Sequence, residues 1–213
     1  VISTNAAGNA ATPYLNWARF DTGDGTVVNA DPGNGQCSGW CTTSAYNMPA
    51  NRSNFSFVAY NGYLYALGGN DEFGPRSLNH KYDTIFIAKL GSNGEPRLWH
   101  PTDTNKDNWD YWYETADDPT MALPDERING NAVAYNNKMY FVGGIDNSSA
   151  TGAVTNTVWV ADILPNGKLG TFSASTSLSS GGPGARFGHT LLVYNDYLYV
   201  VGGSGTVSGS PSN

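Results

Sequence analysis

ARFGHTLLVYNDYLYVVGG, residues 185–203, repeats a phrase that the chain has already used twice. NRSNFSFVAYNGYLYALGG begins at Asn51 and ERINGNAVAYNNKMYFVGG at Glu126, and the three align without a gap. Arg52, Arg127 and Arg186 share one place, Tyr60, Tyr135 and Tyr194 a second, and the pairs Gly68-Gly69, Gly143-Gly144 and Gly202-Gly203 a third. Between tyrosine and glycines comes a two-residue break, Asn61-Gly62, Asn136-Asn137 or Asn195-Asp196, flanked by runs rich in Val, Leu, Tyr and Phe. Such a break predicts a tight hairpin, because Asn, Asp and Gly accept the positive φ angles its turn demands. Repetition at this level means one supersecondary unit used several times.

A second shared phrase follows the glycines: TIFIAKLGSNGEPRLW (84–99) matches TVWVADILPNGKLGTF (157–172), with Asn-Gly at one offset and Trp99 or Phe172 closing each. Each unit therefore reads as four antiparallel strands, a to d. Residues 51–100 and 126–173 form two whole units, separated by an acidic and aromatic insertion over 101–125. Residues 185–213 hold half of a third. Residues 1–50 hold a stray closing strand around Tyr14 to Phe20, with Trp17 as its aromatic, and a cysteine-containing loop.

On these residues the chain resembles the Kelch-repeat β-propellers. The Arg, Tyr and Gly-Gly anchors and the later aromatic carry the likeness, and Asn166-Gly167-Lys168-Leu169-Gly170-Thr171-Phe172 is similar to the bacterial, exported variety. The resemblance implies an all-β fold, a Kelch-type β-propeller segment of four-stranded antiparallel blades, two complete and others partial, with strand a lining a central channel. Propellers close with about four to eight blades, so the missing blades are expected from further chain or from another subunit, which would also cover the open edges. One architecture hosts binding modules and enzymes alike.

Composition fits many short strands and turns: 26 glycines, 13% aromatic residues and a mean hydropathy of −0.38 in 213 residues, with no helical periodicity of useful length. No apolar run approaches the roughly 18 residues of a membrane span. The chain begins at Val1, which fits processing or an incomplete chain. A formal charge of −7 and a pI near 4.7, with no basic cluster, argue against nucleic acid and anionic membrane surfaces as partners. Few lysines beside abundant Asn, Ser, Thr and Gly suit an exported, cell-surface protein.

In an up-and-down meander the a–b and c–d turns share one end of the sheet. All of them read as tight, whereas the b–c and d–a connections, about 21–50, 70–82, 100–125, 145–155 and 173–184, are long. Elaboration on one face of a rigid scaffold is where binding usually resides; tolerated insertion without function is the other reading. DTNKDNWDYWYE, residues 103–114, places Asp103, Asn105 and Asp107 at the first, third and fifth positions and Glu114 at the twelfth. That is the oxygen-ligand spacing of an EF-hand calcium loop, although Asn108 stands where glycine makes the bend and no flanking helices are apparent. A solvated acidic loop is the alternative, and Asp21, Asp24 and Asp31 form a weaker acidic group. Trp109, Tyr111, Trp112 and Tyr113 in the same segment could stack on sugar rings or anchor a protein, or fold back as a lid over the blade tops.

Cys37 and Cys41, in CSGWC, are the only cysteines; a small disulfide ring is expected, since zinc would need further ligands. Sequons occur at Asn51, Asn54 and Asn147, and Asn54 falls where an inner strand begins, a poor place for a glycan. Arg52, Arg127 and Arg186 could clamp a carboxylate at the channel mouth, or bond carbonyls of a neighbouring blade and fix the radial packing. A copper oxidase similar to galactose oxidase is disfavoured, since only His80, His100 and His189 are available and His189 has Phe55 and Gly130 at its equivalent places. The function expected is non-catalytic recognition or assembly, binding a protein or glycan through the long-loop face. The alternatives are an exported, mutarotase-like carbohydrate-active enzyme and a structural subunit of a surface filament.

Overall fold

The computed structural model describes residues 19–20, 27–28, 52–70, 81–90, 113–114, 119–147, 152–179 and 184–206. Among these the protein is all-β, with antiparallel sheets of two to four strands and one 3-10 turn at Pro119–Met121. The first unit is a meander of β3 (Ser56–Tyr60), β4 (Tyr63–Leu67), β5 (Ile85–Lys89) and β6 (Tyr113–Glu114), hydrogen-bonded in that order. The second repeats it with β7 (Asn131–Tyr135), β8 (Lys138–Val142), β9 (Val158–Asp162) and β10 (Ser173–Ala174). The third is the hairpin β11 (Thr190–Tyr194) and β12 (Tyr197–Val201). Near the start, β1 (Arg19–Phe20) pairs with β2 (Val27–Val28), so the end of the expected stray strand forms a hairpin of its own.

The three hairpins are equivalent in register: Tyr60 faces Tyr63, Tyr135 faces Lys138 and Tyr194 faces Tyr197 across the turn. Each turn has two consecutive positive φ angles, 47° and 78° at Asn61-Gly62, 48° and 56° at Asn136-Asn137, 48° and 64° at Asn195-Asp196. That is the twist-matched turn the Asn, Asp and Gly residues predict.

Period-2 alternation then decides what is buried. One side of the first unit, Val58, Tyr63, Tyr65, Leu67, Ile85 and Ile87, packs on the opposite side of the second, Ala132, Met139, Phe141, Trp159 and Ala161, in one core. Each such large side chain contributes about 1.5–3 kcal/mol when removed from water. The buried Tyr65 hydroxyl donates to the Gly167 carbonyl at 2.9 Å, satisfying its polar end inside this core. The first strands of the three units are neighbours, β7 lying against both β3 and β11.

One element departs from the expectation. Tyr113 pairs with Ile87 and Glu114 with Phe86, the places that Ser173 and Ala174 take against Val160 and Trp159 in the second unit. The residue preceding strand d is thus Phe172 in one unit and Trp112, not Trp99, in the other. The chain leaves β5 beside the a–b turn, where the Leu90 amide donates to the Gly62 carbonyl at 2.8 Å. The chain thus joins Leu90 to Tyr113 through residues 91–112, which lie outside the described residues and include the expected Asn93-Gly94 turn and Trp99, and it leaves from the end expected to hold only tight turns. A turn motif fixes where a chain can reverse, not which later segment returns to pair.

Candidate functional site

The repeated arginines are buried at the end of each unit opposite the tight turns. Arg52 Nη1 donates to the Gly68 carbonyl at 3.1 Å, its other amine bonds Thr84 Oγ1, and the guanidinium lies 3.5 Å from the Tyr82 ring centroid and 4.7 Å from that of Phe86. Arg186 donates in the same way to the carbonyl of Gly202, the first glycine of its own pair. Arg127 lies 4.4 Å over Trp159, the residue equivalent to Phe86, and donates to Asp125 Oδ2 and the Glu126 carbonyl, each at 2.9 Å. These contacts join Arg52 and Arg186 to residues of their own units, and Arg127 to its own unit and to Asp125 just before it. The carboxylate clamp expected at a channel mouth finds its three groups buried and engaged with the protein itself.

A link between units is made by the arginine main chain. Gly69 N donates to the Arg127 carbonyl at 2.7 Å, and Gly144 N to that of Arg186 at 2.8 Å. A Cβ on Gly68 would lie 2.6 Å from the Arg127 carbonyl oxygen, and one on Gly143 closer still to that of Arg186. The glycine pair is where the next unit's backbone arrives, and only glycine leaves room for it at positive φ.

At the same end, between the first and second units, lies a charged cluster that sequence spacing does not reveal. Lys81 is buried and donates to the Asp146 carbonyl. Its pKa is lowered by burial, against the opposing pull of Asp146, Glu126 and Asp125. The pKa of Glu126 is raised, first by burial and then by Asp83 and Asp125, while Lys81 and a hydrogen bond with Asn147 act the other way. One of its carboxylate oxygens, Oε2, is sealed in without a hydrogen-bond partner. Gly152, at φ 70°, lets the second unit's b–c loop close down, since a Cβ there would stand 2.8 Å from the Asp146 carbonyl and 3.0 Å from Lys81 Nζ. Lys81 thereby ties the first unit's b–c connection to the second's, with Glu126 and Asp125 near enough to act on its charge. Lys81, Glu126 and Asp146 come from three separate segments, and none belongs to the repeat's anchors.

His189 is also buried, with neither ring nitrogen hydrogen-bonded. Burial and then the Arg186 charge push its pKa down to about 4, so it packs as a neutral ring where the first unit has Phe55. Asn54 sits at φ 55° and its amide donates to Asn70 Oδ1 at 3.0 Å, which commits that sequon's side chain to the fold.

Of the other expected site residues, Tyr113 and Glu114 form β6. Asp103, Asn105, Asp107, Trp109, Tyr111 and Trp112 lie outside the described residues, as do Cys37 and Cys41. Among the described residues no group of His, Cys, Asp and Glu is arranged to hold a metal, and no helix is long and apolar enough to cross a membrane.

With this geometry in hand, comparison with known proteins gives a likeness of fold. No family profile and no curated protein matches the chain. Solved structures do. That of YjhT superposes with a TM-score of 0.52 at 15% identity, covering 91% of this chain and 46% of YjhT. The chain spans about half the length of that protein, and at such identity the likeness speaks for the fold alone.

Proposed function

We propose that the sheets are successive blades of a Kelch-type β-propeller and that this part of it is a non-catalytic, exported recognition or assembly module for a protein or glycan. The observation that carries the blade reading is the junction between units, made twice with the same parts. Tyrosine to the following turn, second glycine to the following arginine carbonyl, and first strand beside first strand recur from the first unit to the second and from the second to the third. A rigid array with elaborated connections supports binding at its ends. The b–c and d–a connections join strand ends on the side that holds Lys81, and the connection after Leu90 begins at the other, so this reading puts ligand surface at either end.

Calcium held by Asp103, Asn105, Asp107 and Glu114 would order the c–d connection against β6, and a Cys37–Cys41 disulfide would suit an exported protein. A mutarotase-like enzyme is the second reading, favoured by Glu126, whose raised pKa suits proton transfer. Glycan-array and pull-down screening of the chain tests both. Retention of a ligand, weakened by Trp109→Ala with Trp112→Ala at unchanged melting temperature, supports recognition through the aromatic end. Turnover of a glycan without retention moves the case to the enzyme, and neither result with any glycan or surface extract ends the recognition reading.

A further inference from the structure

Asn-Gly, the pair that makes the first hairpin turn, occurs at Asn61-Gly62, Asn129-Gly130 and Asn166-Gly167 among the described residues. The same pair undergoes a reaction of its own. The glycine amide nitrogen attacks the asparagine Cγ, since glycine has no Cβ to obstruct the approach, provided that the peptide between them is free to rotate. The three sites differ in that freedom.

Asn129 is pinned from both sides: its amide donates to the Asn54 carbonyl and its carbonyl accepts from the Gly188 amide, each at 2.8 Å. A Cβ on Gly130 would lie 2.5 Å from the Phe141 ring. Gly167 is buried, its amide donates to the Leu164 carbonyl at 2.8 Å, and its carbonyl accepts from the Tyr65 hydroxyl at 2.9 Å. Asn166 Oδ1 accepts from the Lys168 amide at 3.1 Å. Asn61 and Gly62, in contrast, are both exposed, and nothing stands within 4 Å of a Cβ built on Gly62. Among the described residues the Gly62 amide, the attacking group, has no hydrogen-bond partner. The Gly62 carbonyl accepts from the Leu90 amide at 2.8 Å, and the Asn61 side chain donates to Asn137 Oδ1 at 3.3 Å. Rotation of the intervening peptide breaks these bonds but displaces no side chain packed on Gly62, so it meets least resistance here.

We propose that Asn61 is a site of spontaneous modification, converted to isoaspartate and aspartate in the folded protein while Asn129 and Asn166 are spared, and that the conversion loosens the turn-end contact between the first and second units. A bond from Gly62 N to Asn61 Cγ closes a cyclic imide, and the side-chain nitrogen leaves as ammonia with the glycine amide proton. Water then opens the ring. Cleavage at Cγ gives aspartate, and cleavage at the main-chain carbonyl gives isoaspartate, which adds a methylene to the turn that sets the β3–β4 register. Either product replaces the Asn61 donor with a carboxylate, which only accepts. Asn137 Oδ1 takes hydrogen bonds from Asn61 and from the Tyr60 hydroxyl, each at 3.3 Å. After conversion it faces a charged oxygen, or turns its amide to that oxygen and gives up Tyr60.

The purified protein is aged in mildly alkaline buffer, folded and in urea, and mapped peptide by peptide for the mass gained when amide becomes acid, with isoaspartate identified by enzymatic methylation. In urea the three asparagines are expected to convert at similar rates. In the folded protein Asn61 is expected to convert at least about tenfold faster than Asn129 or Asn166, which react only after local opening. Comparable rates at all three in the folded protein overturn the proposal, as does an Asn61 that keeps its amide while the unfolded chain loses it. The fraction altered at Asn61 alone, separated by its added negative charge, is expected to melt below fresh protein. Asn61→Gln, whose longer side chain closes the ring slowly, should keep its starting melting temperature when aged alongside. An altered fraction that melts with the parent overturns the loosening.

Discussion

Gly143 and Gly202 hold the same place in the repeat, at φ 61° and 72°, but meet different surroundings. At Gly143 an added Cβ collides with the Arg186 carbonyl, whereas at Gly202 nothing stands within 4 Å. Gly202→Ala is therefore expected to cost only the left-handed backbone strain, about 1 kcal/mol, and Gly143→Ala about 3 kcal/mol or more as the backbone contact is forced apart. Equilibrium urea unfolding of both variants measures the difference, and equal losses would mean the arriving carbonyl is not what demands glycine. His189 gives a second residue-scale expectation. Its folded pKa of about 4 lies below the ordinary 6.5, so the unfolded state binds the proton more readily. Its contribution is complete above about pH 6.5 and is lost as pH falls through about 4. His189→Phe, the residue the first unit uses, should flatten the decline of melting temperature between those limits; an unchanged decline would assign it to other groups. The anchors at this scale were legible as pattern, since Arg, Tyr and Gly-Gly recur in register. Their roles were not, because the spacing cannot tell an arginine that bonds its own glycine carbonyl from one that reaches a neighbouring blade.

At the scale of elements, the inner hairpins could be read directly, since Asn-Gly, Asn-Asn and Asn-Asp between β-rich runs specify both turn and register. Strands β5 and β9 followed from their matched phrase. The fourth strand of the first unit did not, because Tyr113–Glu114 returns to pair after a connection whose length no local signal sets. This changes what calcium would do. With Glu114 on β6 and Asp103, Asn105 and Asp107 in the connection before it, the ion would fasten a long loop to a sheet edge. Calcium is expected to raise the melting temperature of the parent by several degrees, and Asp103→Ala with Asp107→Ala to abolish the rise. A parent indifferent to millimolar calcium removes the site.

For the whole molecule, one core joins the first and second units, while Leu192, Tyr194, Tyr197, Tyr199 and Val201 leave one side of the third exposed. The likeness to YjhT agrees with an all-β array that spans about half of that fold. The sequence by itself determined the repeat, the hairpin turns and the alternation of buried side chains, because these depend on residues close along the chain. Only the tertiary structure decided which side of each sheet is sealed, which segment pairs with β5, and that Lys81 is buried beside Glu126 and Asp146. Those outcomes depend on segments far apart in the chain meeting at a sheet edge or a unit junction, and contacts of that kind leave no periodic trace in the order of residues.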